Sequence, residues 1–447
     1  MVNEAKQKPP RRYEKMRDSG VAWIGMVPEG WNVTRIKRHF KITTGNGFRP
    51  DLQGKQNGDY PVCKASDIAA AGKTLTCSAN YISTATQQAE HFNVIPTGSI
   101  LIPKIGEAMK KNHRTIAVLD CCLDNNCQAL TPTGISTVYA YYLFLCIDMN
   151  WVDNGGTIPC INNQQLKDLK IPLPEYVTQI QIVRYLDEKC RKIDDAIAEA
   201  KASVEEYKAW KVSIIYEAVT KGLDPHAEMK DSGVEWIGEI PEEWYVCKTL
   251  FVLQMPITDG PHTTPELYAA GVPFVSAEAV SCGNGRIDFN HIRGYISEGF
   301  YQECCKKYIP QKDDIYMIKS GATTGKVAIV DVDTKFTIWS PLAAFRVNPK
   351  KVLPRYLFYF LQSPAYQKQV ELGWSFGTQQ NIGMRTLEKL KICVPPLSVQ
   401  QEIIRYLDEK SKKLDAIIKE KTDLISDLES YKKSLIYEVV TGKRKVC

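Results

Sequence analysis

One stretch of this chain occurs twice. DSGVAWIGMVPEGW at 18–31 returns as DSGVEWIGEIPEEW at 231–244, with ten of fourteen positions identical and both tryptophans kept. A second pair follows the same plan: LKIPLPEYVTQIQIVRYLDEK at 169–189 returns as LKICVPPLSVQQEIIRYLDEK at 390–410. Self-similarity at one long spacing means two copies of one folding unit rather than a single large core. The first pair is offset by 213 residues and the second by 221, so the second copy carries eight more residues between its ends. Between these anchors the copies agree only faintly. GNGFRP at 45–50 answers GPHTTP at 260–265, PVCKASDI at 61–68 answers PFVSAEAV at 273–280, and GTIPCINNQQLKDL at 156–169 answers GTQQNIGMRTLEKL at 377–390. A framework has been kept while the central surfaces have diverged.

Each copy ends in a heptad pattern. Val183, Leu186, Cys190, Ile193, Ile197, Ala200, Val204 and Tyr207 are spaced alternately three and four apart, which is the seam of a coiled coil. Shifted by 221, the seam becomes Ile404, Leu407, Ser411, Leu414, Ile418, Lys421, Ile425 and Leu428, with Ser411 and Lys421 as polar interruptions. The stripe is narrow and runs about forty residues without Pro or Gly, which fits two long packed helices better than a helix lying on its own globe. The linker GLDPHAEMK at 222–230 is too short to carry the second globe back along the first helix, so the helices are expected to run antiparallel. At 1.5 Å per residue they would hold the globes about 60 Å apart at most. Antiparallel equivalent helices imply a pseudo-two-fold relation.

The expected fold class is therefore α+β: two globular mixed domains joined by a long antiparallel two-helix coiled coil, an internal pseudo-two-fold repeat. The boundaries read as globe one 1–175, helix one 176–222, globe two 223–396 and helix two 397–447. GSILIPKIG at 98–106, RTIAVLD at 114–120 and KVAIVDV at 326–332 read as strands, while VYAYYLFLCIDMN at 138–150 and PRYLFYFLQSPAYQKQV at 354–370 each read as a buried helix. Asn162 reads as the N-cap of NQQLKDL rather than a base reader. Trp23, Trp31, Trp236 and Trp244 read as core anchors. RYLDEK is equally a docking surface or solvated charge.

Composition bounds the chemistry. The net charge of +6 leans toward a polyanionic partner, although scattered lysines give the same total. The basic, polar first twenty residues do not resemble a secretory signal, and apolar runs such as YAYYLFLCI are far short of the ~18–20 residues that span a bilayer, so a cytoplasmic protein without membrane contact is expected. Fourteen cysteines form no C-x-x-C pair and six histidines no H-x-x-x-H, so no metal site is expected and the thiols read as reduced and buried. GATTGK at 321–326 has three residues between its glycines where a phosphate loop needs four, and Val327 follows the lysine; it reads as a tight turn. No methyl-donor loop, no Asn-Pro-Pro or Asp-Pro-Pro followed by an aromatic, and no Ser/His/Asp arrangement is visible. No catalytic residue is assigned.

With DSGVEWIGEIP, the LKIPLP…RYLDEK segments and the duplicated plan on the page, the chain resembles the specificity subunits of type I restriction-modification systems over essentially its whole length. The resemblance implies that each globe is a target recognition domain reading one half of a split, asymmetric sequence on double-stranded DNA. It implies that the helices are a spacer and a platform for two modification (methyltransferase) subunits, which restriction (translocase-nuclease) subunits join. It also implies a non-catalytic chain with no cofactor of its own, S-adenosylmethionine, ATP and Mg being expected on the partners. Half-sites about one helical turn apart, roughly 34 Å, would present one groove face to both readers. The DNA-contact candidates in globe one are Arg49, Lys104 and the basic loop Lys110, Lys111, Asn112 and Arg114, taken as exposed between strands. Those in globe two are His262, Thr263, Lys319, Thr323, Thr324 and Lys326, since ATTGK holds the place of that loop. A coiled-coil adaptor without nucleic acid is the rival reading, and a self-sufficient DNA-modifying enzyme is a third that the missing motifs oppose.

Overall fold

The computed structural model describes residues 12–374 and 380–446. Ser375, Phe376 and Gly377–Gln379, where the third faint match begins, lie outside the described residues. The chain divides into two compact units. Unit one holds the residues up to Ala200 together with those from Asp423 on, and unit two holds Lys201–Thr422.

Unit one contains β1 (Asn32–Arg35), β2 (Phe40–Thr44), β3 (Tyr60–Cys63), β4 (Ile100–Pro103), α1 (Gly106–Lys110), β5 (Thr115–Ala117), β6 (Cys122–Leu123), β7 (Cys127–Pro132), α2 (Thr137–Leu145), α3 (Asn163–Asp168), β8 (Lys170–Leu173) and the start of α4 (Tyr176–Thr220). Its main sheet has the order β2-β7-β4-β5, with Thr74–Leu75 added at the edge. Unit two contains the end of α4, then β9 (Tyr245–Lys248), β10 (Thr258–Asp259), β11 (Val272–Val275), β12 (Ile315–Ile318), β13 (Val327–Ile329), β14 (Thr337–Ile338), β15 (Leu342–Phe345), α5 (Pro354–Gln362), α6 (Pro364–Leu372), α7 (Met384–Lys389), β16 (Lys391–Val394) and most of α8 (Leu397–Val440). Its sheet order, β10-β15-β12-β13, repeats that of unit one.

The registers repeat as well. Ile100 faces Ile116 as Ile315 faces Ile329, and Ala129 joins Leu101 to Thr43 as Ala344 joins Tyr316 to Thr258. In both units one parallel pair lies beside the sheet, β3 with β6 and β11 with β14. Strand alternation explains why these segments read as unbroken apolar runs. Ile100 and Ile102 join Tyr139, Leu143, Ile182 and Leu186 on one face, while Leu101 joins Cys63, Cys121 and Leu123 on the other. Ile315 and Met317 divide from Tyr316 and Ile318 in the same way.

The expected single helix at 354–370 is two helices. Pro364 has no N–H to continue α5 and instead occupies the first turn of α6, where its fixed φ suits a start. The N-cap reading holds, since the Asn162 side chain accepts from Gln164 N and Gln165 N.

The repeated opening stretch is a socket for the end of a long helix. In unit one Tyr437 donates to the Trp23 carbonyl (2.8 Å), and Gly442, at φ +76, leaves no room for a Cβ against Pro28 and Trp31. In unit two Tyr216 donates to the Ile237 carbonyl (3.3 Å), and Gly222, at φ +78, abuts Trp244. Trp31 and Trp244 are buried in the cores, Trp23 is half exposed but packs against the core of unit one, and Trp236 is half exposed, so of the four Trp236 alone lies outside the core clusters of the described residues. Trp23 also donates to the Lys170 carbonyl and lies against Trp151.

Within each unit the long helices pair antiparallel. Asp194 meets Lys432 (2.6 Å) in unit one, where Ile193 and Ile197 share a core with Leu435 and Ile436. Lys211 meets Asp415 (2.7 Å) in unit two, where Lys421 lies over Tyr207. Leu186, Ile193, Ile197, Val204, Leu407 and Leu414 are buried. Val183 and Ile404 are only half-buried, and Ile182 and Ile403 are the buried residues of that turn, because the first turns of each helix face their own globe before they face a partner helix. Ile418, Ile425 and Leu428 are also half-buried, since a two-helix pair leaves its flanks to solvent. No described helix is long and apolar enough to cross a membrane.

Candidate nucleic-acid interface

The sheet registers make the two reading regions comparable residue by residue. Thr44 of unit one corresponds to Asp259 of unit two, Gly45 to Gly260, and Lys104 to Lys319. Gly45 passes so close to the carbonyls of Leu123 and Asp124, and Gly260 to that of Ile338, that any Cβ would overlap backbone. This explains why the faint match GNGFRP/GPHTTP survives at its glycine. Just past β4 the Lys104 N–H donates to the Asn126 carbonyl (2.8 Å) and its carbonyl accepts from Ile161 N (2.9 Å); Lys319 repeats both bonds with Pro341 (2.8 Å) and Ile382 (2.9 Å).

In unit one the expected exposed loop 110–114 is largely structure. Residues 106–110 form the short helix α1, with Lys110 near Glu107 (3.4 Å) and Lys111 exposed at its end. Asn112 adopts φ +57. Its side-chain oxygen accepts from Met149 N (2.8 Å) and its amide donates to Asp148 (2.8 Å), so its base-reading edge is occupied. Arg114 is 6% exposed and donates to the carbonyls of Asn112 and Ile147, and burial lowers its guanidinium to about 10. Asn112 and Arg114 therefore close the turn against the segment following α2 and are removed from the candidate readers. Arg49 stays at the surface but is paired with Asp51 and Glu90 (both 3.1 Å), which cancels its charge locally.

Unit two gathers a cluster that the sequence did not disclose. Asp259, 1% exposed at the end of β10, lies 3.1 Å from His262 Nε2 and 3.3 Å from Lys319 Nζ and is bonded to Lys307. Burial alone would raise its carboxyl, but Lys307 and Lys319 together hold it below the usual carboxylate value. The two lysines and the histidine fan outward from it: the side chain of Lys319 is 13% exposed, that of Lys307 50% and that of His262 72%. Thr263 is exposed and lines the same cleft as Lys307. Asp259 could have been noticed as an acid inside TDG beside PHTTP. Lys307, forty-eight residues farther along, could not.

The GATTGK segment is the expected tight turn between β12 and β13, with Thr324 N and Thr324 Oγ1 both donating to the Gly321 carbonyl. Thr324 is thus engaged in its own turn, and Thr323 is half-buried. Lys326 is exposed but lies apart from the Asp259 cluster, in a cleft of about 590 Å³ with Lys208, Lys211 and Lys419.

RYLDEK has an internal use in both copies. Asp187 accepts from Tyr142 and Lys73, and Asp408 accepts from Tyr359 and Arg355, so this carboxylate fixes each helix start to its own globe. All thirteen cysteines among the described residues are free thiols, and no group of three metal-ligating side chains occurs among them.

The family model of the type I restriction modification DNA specificity domain matches residues 28–206 and 266–426. The "Putative type I restriction enzyme MjaX specificity subunit" of Methanocaldococcus jannaschii is 27% identical over 446 residues, covering 95% of this chain and 96% of that protein. The type I restriction enzyme EcoBI specificity subunit of Escherichia coli is 22% identical over 295 residues, 64% of this chain and 61% of that one. A chain from a solved type I R-M system shares the fold, with a TM-score of 0.66 at 16% identity, covering 93% of this chain and 98% of its own length.

Proposed function

This chain belongs to the type I restriction modification DNA specificity family, and on that premise we propose that it reads a bipartite, asymmetric DNA sequence for partner subunits that modify and cut. Each unit reads one half-site through the surface around its central sheet. The long helices set the spacing and dock two modification subunits, which restriction subunits join, in the cytoplasm. The chain itself is non-catalytic; S-adenosylmethionine, ATP and Mg belong to the partners.

The observation that carries this reading is the contrast between equal sheets and unequal edges. Two sheets of one strand order and register end in different side chains, with Thr44 in one unit at the position where the other has Asp259, bound to Lys307 and beside Lys319 and His262. Two scaffolds that present different polar groups from equivalent positions suit two different base sequences.

The test is co-expression with a modification subunit in a host lacking its methylation, followed by mapping of methylated adenines. The reading predicts one motif in two unlike halves separated by a fixed gap of a few base pairs. A single continuous motif, or no new methylation with a competent partner, overturns it.

A further inference from the structure

Of the cations nominated as DNA contacts, one alone occupies equivalent positions in both units. By the strand registers Lys326 corresponds to His113 and Arg114 to Val327, whereas Lys104 corresponds to Lys319; in the faint match GNGFRP/GPHTTP, Arg49 stands opposite Thr264. The hydrogen bonds that fix this position involve only its backbone N–H and C=O, and any non-proline residue could make them. They do not explain why it is lysine twice. Pairing inside the unit accounts for it in unit two alone, where Lys319 is 13% exposed and lies 3.3 Å from Asp259. Lys104 makes no ion pair and no side-chain hydrogen bond among the described residues. In unit two this lysine pairs with Asp259, whose position is Thr44 in unit one, yet a lysine stands there in both.

We infer that Lys104 and Lys319 contact the DNA phosphate backbone and carry none of the base discrimination. The inference rests on the reading of each unit as a DNA reader. Two units that read different half-sites have one thing in common in their ligand, the repeating phosphate. A side chain held at the same place in both suits that common part, because phosphate contacts position a protein on the duplex without carrying sequence information. In unit two, Asp259 does not consume the charge of Lys319. Its single carboxylate is shared with Lys307 and His262 and lies behind all three, so the cluster keeps an excess of positive charge facing outward. Sequence reading then falls to what the units do not share: Lys110 and Lys111 at the end of α1, and His262, Thr263 and Lys307.

The test uses the full chain assembled with its modification subunits, with Lys104→Gln, Lys319→Gln and the double variant. Binding is measured from 50 to 200 mM salt on a duplex carrying the mapped motif and on one lacking it. Each lost phosphate contact should flatten the slope of log affinity against log salt by about 0.9, so the wild-type advantage shrinks roughly threefold across that range. The weakening should be the same factor on both duplexes, with the methylated motif unchanged. Lys104→Gln removes no internal partner and should fold as the wild type does. Lys319→Gln takes one cation from a buried carboxylate, so Lys319→Arg is the control and should keep the wild-type slope. An unchanged slope in the folded variants, or a loss confined to the cognate duplex, overturns the assignment. Absence of salt-dependent binding by the wild-type assembly would instead overturn the DNA-reading function.

Discussion

The sockets that receive the long helices and the turns that leave the central sheets have had the same opportunity to diverge, and they have not done so equally. In the socket region Tyr139 donates to the Pro172 carbonyl (3.1 Å) and Tyr356 to that of Cys393 (3.1 Å). Gln179 accepts from Ser136 N (2.9 Å) and Gln400 from Leu353 N (2.8 Å), and each donates onward to a proline carbonyl. At the turns the units differ: unit one has a short helix followed by the buried Arg114, and unit two has a six-residue turn and, at the end of β10, the buried Asp259. Groups that join a helix to a globe have one solution, since each satisfies a buried backbone atom whose partner does not change. Lys110, Lys111, His262 and Thr263 at the turns are exposed, and none of them satisfies a buried backbone atom of the framework.

The largest effect should follow from breaking the shared part. Tyr139→Ala or Tyr356→Ala removes a fully buried ring and an interior hydrogen bond and should cost about 3–5 kcal/mol in denaturant unfolding. Similar losses in both units would support the equivalence; a negligible loss in one would break it.

Arg114→Ala sharpens the line between framework and reader. It strands the Ile147 carbonyl and should cost about 1–3 kcal/mol, while DNA affinity per folded molecule stays unchanged. A loss of affinity without loss of stability would return Arg114 to the readers.

Asp259→Asn, also costing about 1–3 kcal/mol, tests the cluster through pH. The folded carboxyl titrates below its ordinary value of 3.8. Its stabilisation should be fully present above that value and disappear as pH falls through the lowered folded one. Wild type and variant should therefore converge in acid urea melts; a constant gap would mean that the charge of Asp259 is not what matters.

The smallest effect belongs to the ion pairs on the helices. Lys432→Ala, which frees Asp194 at a largely exposed site, should change stability by under about 1 kcal/mol, and less at high salt. A larger loss would mean that the pair fixes helix register.

Legibility in the sequence follows the same division. The duplication, the long helices, the strand segments and the Asn162 cap were readable because each rests on neighbours within a few residues or on repetition. The half-buried state of Val183 and Ile404 was not, because heptad spacing cannot tell a partner helix from the helix's own globe. The burial of Arg114 is not legible in the sequence because its acceptor, Ile147, lies thirty-three residues away. Asp259 and Lys307 escaped notice because only the folded sheet brings them together. The surface that matters most for function is made of long-range pairs, so the candidate contacts were the least legible part of the chain.

The most direct measurement exchanges the diverged part and keeps the shared one. Residues 258–382 are replaced by the equivalent 43–161, the chain is co-expressed with a modification subunit, and methylated adenines are mapped. If the unequal edges of two equal scaffolds carry the discrimination, the new motif should contain the first half-site twice. If the second half-site persists as in the wild type, discrimination lies elsewhere and the account is contradicted.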